Sequence, residues 1–335
     1  MTAPYPLVFE PILKEKVWGG RRLERFGKTL PTSANIGESW ELADLPSTDP
    51  SGGGGDPARS RITNGPLAGH TLHDALERWA ADLLGRRAPT PTGDFPLLVK
   101  YLDAREHLSV QVHPSPKYSA AHPGANLKTE CWFVLEADPG SKIFKGVKPG
   151  VTRSDFERAL RDGDGQGCVE LLESVDAVPG QLHNLPSGTV HALGEGVLVA
   201  EVQTPSDTTY RVYDWTAEYN RPKRELHVAQ ALECIHYGKA PHARELDPAR
   251  TQERLLDTEF FSIDVIRART EIETHPVPGC SVLMLLKGSA QLRADADGFE
   301  PVSLRVGQTA LIPASIADRT RIDAQPGAEL LHAIL

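Results

Sequence analysis

Short apolar segments separated by turn-forming residues run through most of this chain. The 29 glycines and 27 prolines are scattered between these segments and are not gathered in one linker. This arrangement favours many short strands and turns over long helices. The pattern predicts strands at 95–102, 108–113, 130–136, 143–144, 189–193 and 197–203.

Helical periodicity is limited to a few stretches. Residues 70–84 place apolar side chains at helical spacing, and Thr71 is expected to cap the first turn. Residues 153–161 show the same pattern, with Ser154 as the expected cap. Two further helices are predicted at 166–173 and 226–236. The S-G-G-G-G-D-P stretch at 51–57 predicts a solvated loop.

A break in composition near 237–250 divides the chain into two predicted units. The first, residues 1–236, combines strands with the added helices, and the second, residues 237–335, reads as all-β. Two segments, N-L-P-S-G-T-V-H-A-L and L-I-P-A-S-I-A-D-R-T, are weakly similar. Aligning Pro186 with Pro313 places Asp318 opposite His191. We therefore predict two related β-sandwiches, of which only the first has a metal site.

Composition excludes several classes of function. The chain has 335 residues, 40% of them hydrophobic, so a large core is available. The net charge is −9 and the basic residues are dispersed, which argues against a nucleic-acid or membrane surface. Neither a signal peptide nor a membrane-spanning segment is expected. The four cysteines are far apart, which is typical of reduced thiols in a cytoplasmic protein.

Polar side chains recur at every second position in L-S-V-Q-V-H-P and L-K-T-E-C-W-F-V-L. Because side chains alternate along a strand, Gln111 and His113 share one face, as do Lys128 and Glu130. Imidazole, carboxylate and amide groups are ligands for borderline divalent metals. His191, after a Pro-Ser-Gly turn, would complete a metal-binding set. A single histidine is more often an ordinary hydrogen-bonded residue, so spacing alone leaves both interpretations open.

A third segment, S-D-T-T-Y-R-V-Y-D-W, also alternates. Its period predicts that Asp207, Thr209, Arg211 and Tyr213 lie on one face. One interpretation is a surface ion pair between Asp207 and Arg211, which contributes little in water. The other is that Arg211 points at a substrate.

Five ordered segments resemble type I mannose-6-phosphate isomerases (phosphomannose isomerases) in their short bacterial form. They cover residues 8–215, with weaker similarity beyond, and read V-W-G-G, G-E-S-W-E-L, P-L-L-V-K-Y-L-D-A…L-S-V-Q-V-H-P, K-T-E-C-W and P-S-G-T-V-H-A-L…S-D-T-T-Y-R-V-Y-D-W. The resemblance implies a mainly β fold of two cupin (jelly-roll) domains with a few added helices. It also implies an enzyme of carbohydrate metabolism that interconverts mannose 6-phosphate and fructose 6-phosphate through an enediol(ate).

The resemblance further implies one Zn²⁺ ion per chain, held by Gln111, His113, Glu130 and His191. By the same resemblance, Arg211 is the active-site arginine, and its fixed charge suits an enediolate. The proton between C2 and C1 needs a base. A nearby zinc ion would lower the pKa of the Lys128 ammonium and make it a candidate. Asp207 is the alternative base, and the sequence leaves the choice open.

The substrate is expected to be a small sugar phosphate, bound by a monomer or homodimer. No Walker-type phosphate loop is present, so capture falls to dispersed donors. Ser109 and Lys100 are candidates, because an ammonium within an apolar strand needs a specific partner. Trp18, in a family-like segment, is a further candidate. The chain has no room between 140 and 185 for the helical insertion of longer relatives, so an isomerase with a broader aldose range is an alternative.

Two other classes remain as alternatives at this stage. A non-catalytic cupin that binds sugar phosphates or metal would not need Lys128, Asp207 and Arg211. An iron-dependent cupin dioxygenase favours two histidines and one carboxylate with open positions. Gln111 as a fourth ligand argues against that class.

Overall fold

Antiparallel strands make up most of the computed structural model, which describes residues 2–48, 54–161, 165–295 and 298–335. In the N-terminal part the strands are β1 (Leu7–Glu10), β2 (Ile12–Gly20), β3 (Ile36–Leu42), β4 (Asp44–Leu45), β5 (Ala58–Arg59), β6 (Arg61–Ile62), β7 (Leu98–Ala104), β8 (Val110–Val112), β9 (Glu130–Ala137), β10 (Lys142–Val147), β11 (Leu172–Asp176), β12 (Leu182–Leu185), β13 (His191–Leu193), β14 (Val197–Gln203) and β15 (Tyr210–Tyr213). In the C-terminal part they are β16 (Gln252–Asp257), β17 (Ser262–Arg267), β18 (Glu273–Pro276), β19 (Ser281–Lys287), β20 (Ser289–Ala294), β21 (Val302–Arg305), β22 (Thr309–Ile312), β23 (Thr320–Ala324) and β24 (Glu329–Ile334).

Helices are short additions to these sheets. The α-helices are α1 (Leu72–Trp79), α2 (Ala81–Leu84), α3 (Pro116–Ala121), α4 (Arg153–Arg161), α5 (Thr216–Tyr219), α6 (Val228–Cys234) and α7 (Ala314–Ala317). Short 3₁₀ helices cover Arg22–Phe26, Gly65–Leu67 and Gln166–Leu171. The predicted mainly β fold with added helices is therefore confirmed.

Two sheets form the first β-sandwich. A five-stranded sheet in the order β11-β10-β13-β8-β15 faces a six-stranded sheet in the order β12-β9-β14-β7-β2-β3. Their facing sides share an apolar layer that includes Leu102, Val134, Leu193 and Val199. Towards one end of this sandwich the inward-facing side chains are polar, and the candidate site lies at that end.

The second sandwich pairs a seven-stranded sheet, β16-β17-β24-β19-β22-β1-β6, with a four-stranded sheet, β18-β23-β20-β21. Leu283 and Leu330 of the larger sheet pack against Leu292 and Ile322 of the smaller one. The N-terminal strand β1 pairs with β22, with Leu7 opposite Leu311. The larger sheet therefore draws strands from both sides of residue 237.

The largest apolar core lies between the two sandwiches. Tyr101 and Phe133, on the outer face of the six-stranded sheet, belong to one cluster with Val265, Met284 and Leu331 of the second sandwich. Strands β7 and β14 are buried along their whole length. Because their outer faces are fixed by this core, their inner faces are fixed as well.

Several predicted boundaries hold and others shift. Strand 197–203 is confirmed, whereas the strand expected from 95 begins at Leu98. The helix expected over 70–84 breaks after Trp79 at Ala80, whose φ is 43°. Its cap is confirmed, since Thr71 and Asp74 form a capping box. The segment 166–173 is a 3₁₀ helix followed by a strand from Leu172.

The predicted cap of α4 was wrong. Thr152, not Ser154, accepts a hydrogen bond from the Asp155 backbone amide at 3.3 Å through its hydroxyl. The Asp155 carboxylate in turn accepts from the Thr152 amide at 3.0 Å. A capping box needs an acidic residue three positions after the cap, and Asp155 satisfies this only for Thr152.

Three remaining expectations can be compared with the structure. The four cysteines are buried, and none of them forms a disulfide bond within the described residues. Of the loop predicted at 51–57, residues 51–53 lie outside the described residues, and 54–57 have no helix or strand. Within the part of the chain that the structure describes, no helix combines the length and the apolar character needed to cross a membrane.

The second sandwich contains a histidine that should make its stability depend on pH. His332 on β24 is fully buried, and neither ring nitrogen has a hydrogen-bond partner in the described ranges of the chain. Burial lowers its pKa to about 4, while Asp264 opposes this shift and Arg254 and His275 add to it. The unfolded chain therefore binds this proton at a higher pH than the folded protein does.

We accordingly expect the stability contributed by neutral His332 to be complete above about pH 6.5 and to be lost as the pH falls towards 4. In His332→Leu this loss should shrink by on the order of 3 kcal/mol across that window. Urea unfolding at pH 7 and pH 4.5 measures it, with the exposed His242→Leu as the control. Equal acid sensitivity in wild type and His332→Leu would contradict the assignment.

Candidate active site

Three buried side chains meet at one end of the first sandwich. Glu130 begins β9, His191 begins β13, and His113 directly follows β8. His191 Nε2 lies 3.1 Å from Glu130 Oε1, and His113 Nε2 lies 3.4 Å from Glu130 Oε2. The ligand-type atoms of these residues are close enough together to hold one metal ion.

Backbone contacts orient both imidazole rings towards the carboxylate. His113 Nδ1 lies 3.0 Å from the Thr208 carbonyl oxygen, and His191 Nδ1 lies 2.8 Å from the Thr189 carbonyl oxygen. Each Nδ1 can therefore donate its proton to the backbone, which leaves Nε2 unprotonated and facing Glu130. Metal-binding histidines are held in this way in proteins.

The predicted fourth ligand lies beside this cluster. Gln111 is directly opposite His191 in the sheet, and its Nε2 lies 3.3 Å from His191 Nε2. Its Oε1 accepts a hydrogen bond from the Ser109 hydroxyl at 3.0 Å. Because the two ends of an amide exchange places on rotation by 180°, the Gln111 oxygen can also face the cluster.

The electrostatics of the cluster favour metal-binding protonation states. Burial and the nearby Lys128 ammonium lower the pKa of His113 to about 3, against the opposing effect of Glu130. Burial disfavours the ionised form of Glu130, but Lys128 and His113 outweigh it and hold the pKa well below its usual range. The site thus presents a neutral His113 imidazole and a Glu130 carboxylate, which are the forms that bind metals.

An open cleft leads to this cluster. It contains about 590 Å³ of space free of protein atoms, part of it continuous with solvent. Seven of the ten predicted site residues line it, and the other three are the buried His113, Glu130 and His191. The lining includes Trp18, Lys100, Ser109, Gln111, Lys128, Asp207 and Arg211.

A row of alternating charges crosses the floor of the cleft. It begins with Lys16, whose Nζ lies 3.1 Å from Glu38 Oε1. Lys100 Nζ follows, 3.6 Å from Glu38 Oε2 and 3.5 Å from Glu201 Oε2. Lys128 Nζ lies 3.9 Å from Glu201 Oε1 and 2.8 Å from Glu130 Oε2, which joins the row to the cluster.

These contacts set the charges of the row. Burial would raise the pKa of Glu38, but Lys16 and Lys100 lower it to about 2. Burial would lower the pKa of Lys128, but Glu130 and Glu201 outweigh burial and raise it. Burial and the nearby Glu130 raise the pKa of Glu201, against Lys128 and Lys100.

The structure adds residues that had no predicted role. Glu201 lies in the centre of buried β14, directly opposite Lys100, and accepts a hydrogen bond from the Trp132 indole at 3.1 Å. Glu38 accepts from the Trp40 indole at 2.6 Å. A glutamate within V-L-V-A-E-V-Q, a strand that is otherwise nearly all apolar, was the sequence signal for Glu201.

The segment around β15 follows its predicted alternation only in part. Asp207, Thr209 and Arg211 line the cleft as expected. Tyr213 does not, because an irregularity in the pairing between Arg211 and Tyr213 reverses the alternation, and Tyr213 packs in a separate core cluster. Arg211 is buried, and its Nη1 donates to the Glu225 carbonyl oxygen at 2.8 Å.

Comparison with known proteins gives a consistent result. Residues 7–133 match the model of the phosphomannose isomerase type I catalytic domain. The probable mannose-6-phosphate isomerase GmuF of Bacillus subtilis is 38% identical over 77% of this chain and 78% of that protein. The mannose-6-phosphate isomerase of Streptococcus mutans is 32% identical over 93% of each chain.

Solved structures agree with this assignment. The mannose 6-phosphate isomerase from Bacillus subtilis superimposes with a TM-score of 0.81 at 29% identity, covering 98% of this chain and 99% of that one. A variant of phosphomannose isomerase from Salmonella typhimurium shares the fold, with a TM-score of 0.73 at 17% identity over 98% of this chain and 99% of that chain. The chain therefore belongs to the type I phosphomannose isomerase family, and it is an isomerase.

Proposed function

We propose that this chain interconverts D-mannose 6-phosphate and D-fructose 6-phosphate, with one Zn²⁺ ion held by Gln111, His113, Glu130 and His191. The relatives named above carry that activity in their names. The observation that supports a metal most directly is that Glu130 Oε1 and His113 Nε2 are buried acceptors with no hydrogen-bond donor among the described residues, whereas Glu130 Oε2 has the Lys128 ammonium at 2.8 Å. Buried polar atoms normally have a partner, and a cation between them would be one.

The donor set fits zinc. Two imidazole nitrogens, one carboxylate and an amide oxygen are ligands that a borderline divalent ion accepts. The adjoining cleft leaves room for a substrate oxygen at a further position. When bound, the ion would supply a Lewis acid that polarises the carbonyl of the open-chain sugar.

The reaction moves a proton between C2 and C1 of the open-chain sugar through an enediol(ate). Lys128 and Asp207 both line the cleft and are the two candidates for the group that carries this proton. In the metal-free protein the acidic neighbours of Lys128 favour its ammonium form, which is a proton donor. The Asp207 carboxylate is the other candidate, although carboxylates are intrinsically weak bases.

Arg211 is proposed to stabilise the negative charge that develops on O1 and O2. Its guanidinium borders the cleft and remains charged at any working pH. The hydrogen bond to the Glu225 carbonyl oxygen fixes one end of the group. A charged donor held in place before the reaction stabilises a developing anion without reorganising.

Ser109, Lys100 and Trp18 are proposed to contact the sugar phosphate. Ser109 and Trp18 lie in the cleft wall. Lys100 already has two carboxylate partners, Glu38 and Glu201. A substrate contact by Lys100 would therefore be shared with these carboxylates, which favours sugar hydroxyls over a full phosphate dianion beside them.

Removing a metal ligand should remove metal and activity together. In His113→Ala or Glu130→Ala, purified protein should hold no stoichiometric zinc and show no turnover in a coupled isomerase assay, because the remaining donors do not form a complete site. His122→Ala, which changes an exposed histidine, is the matched control and should retain both. A His113→Ala protein that keeps zinc and activity would contradict the proposed ligand set.

Arg211→Ala should keep zinc but lower kcat by about 10²-fold or more, because a charge-stabilising donor is lost. Arg211→Lys keeps the positive charge but lacks the planar guanidinium with its paired N–H donors, so it should recover part of the lost kcat. Steady-state kinetics and metal analysis on the same preparations measure both effects. Near-normal kcat in Arg211→Ala would exclude the residue from catalysis.

Lys128→Met and Asp207→Asn should separate the two candidate bases. Loss of the true base should lower kcat by about 10²- to 10⁴-fold and abolish incorporation of deuterium from D₂O into C1 of fructose 6-phosphate. The other variant should retain measurable exchange. Wild-type exchange in both variants would mean that a different group carries the proton.

Metal analysis combined with a substrate panel tests the reaction itself. Stoichiometric zinc with turnover that EDTA abolishes is the expected result for mannose 6-phosphate. Bound iron, or zinc without turnover on any hexose or pentose phosphate, would contradict the proposal and favour a dioxygenase or a non-catalytic cupin. Comparable turnover on several aldose phosphates would indicate a broader isomerase.

A further inference from the structure

A second group of metal-ligand side chains lies outside the active site. Asp44 on β4, His73 on α1 and Asp94 in the segment before β7 bring their ligand atoms within 4.8 Å of one another. His73 Nδ1 lies 3.1 Å from Asp44 Oδ2 and 3.7 Å from Asp94 Oδ1. None of the three residues lines the catalytic cleft.

Two carboxylate oxygens of this group are buried and have no hydrogen-bond partner among the residues that the structure describes. They are Asp44 Oδ1 and Asp94 Oδ1, on side chains that are 0% and 3% exposed. The nearest positive group is the Arg59 guanidinium, whose Nε lies 3.3 Å from Asp44 Oδ1 and whose Nη2 lies 3.6 Å from Asp94 Oδ1. Arg59 Nε itself has no hydrogen-bond partner within the described part of the chain. The guanidinium therefore balances charge here without satisfying either oxygen.

The distances fit a single divalent ion. Ligand atoms about 2.0–2.2 Å from a tetrahedral ion are about 3.3–3.6 Å apart, and the observed separations of 3.1 and 3.7 Å bracket that range. These separations run from His73 Nδ1 to Asp44 Oδ2 and to Asp94 Oδ1, which are therefore the two carboxylate ligand atoms, while Asp44 Oδ1 faces Arg59. Both carboxylates are held by further contacts, since Asp44 Oδ2 also accepts from the Phe95 backbone amide at 3.0 Å and Asp94 Oδ2 accepts from the Thr92 hydroxyl at 2.6 Å. Carboxylate ligands of metals are commonly held by such contacts.

The His73 ring is placed to act as the nitrogen ligand. Its Nε2 lies 3.7 Å from Glu77 Oε1, one turn further along α1. With its proton on Nε2, the ring would point that proton at Glu77 and leave Nδ1 free to bind.

We propose that Asp44, His73 and Asp94 form a second, structural site for a divalent cation of the Zn²⁺ or Mn²⁺ type, which Arg59 occupies as counter-ion when the metal is absent. The site would tie α1 and the β4–β5 strand pair to the segment that leads into β7. Arg59 competes with the ion but can leave, because its side chain is 34% exposed. The proposal is independent of the isomerase reaction.

Two substitutions with opposite expected effects test the proposal. His73→Gln keeps a hydrogen-bond donor but removes the imidazole ligand, so it should weaken binding of one ion by about 10- to 100-fold. Arg59→Gln removes the competing charge and should tighten binding of the same ion by about tenfold or more. Metal-stripped proteins are dialysed against increasing Zn²⁺ or Mn²⁺, and bound metal per chain is measured by mass spectrometry.

Wild type should bind one ion more than His73→Gln, whatever the active site holds. Added metal should also raise the thermal unfolding temperature of Arg59→Gln more than that of wild type, because two buried carboxylates lose their counter-ion in this variant. If His73→Gln folds poorly, the Arg59→Gln comparison still decides the question. Equal metal content in wild type and His73→Gln, or unchanged affinity and no extra thermal shift in Arg59→Gln, would overturn the proposal.

Discussion

The buried carboxylate of Glu130 is the group on which the candidate active site depends. A carboxylate that is fully removed from solvent is unstable unless charges and hydrogen-bond donors surround it. Lys128 provides a positive charge at 2.8 Å, and the two imidazoles approach its oxygens from the opposite sheet. Each of these partners is itself held by a second contact, so the cluster is rigid before any substrate arrives.

The row of alternating charges extends this constraint across the cleft. Lys100 and Lys128 each lie between two glutamates, so no single substitution in the row leaves its neighbours unaffected. Removing Glu201, for example, would leave two buried ammonium groups with fewer partners. Groups coupled in this way should show non-additive effects in double-mutant cycles. The arrangement also explains why so many charged residues are tolerated inside a β-sandwich.

The second sandwich contributes to the site through the six-stranded sheet. Its apolar surface packs against the outer face of that sheet, where Tyr101 and Phe133 are buried. A shift of one residue in β7 or β9 would exchange these side chains with Lys100 and Glu130. The apolar core between the sandwiches therefore fixes the register that directs the charges into the cleft.

The sequence by itself determined the features that depend on local geometry. The period of two along a strand placed Lys128 beside Glu130, and the strand over 197–203 was predicted with its bounds. Ordered family motifs then led to the family, and the ten predicted site residues converge in one place.

The tertiary structure alone decided which distant residues meet. Glu201 faces Lys100, and Asp44 meets His73 and Asp94, only because strand register and helix packing bring together segments far apart in sequence. Tyr213 left its predicted face because an irregularity in strand pairing depends on the partner strand, which no single segment encodes.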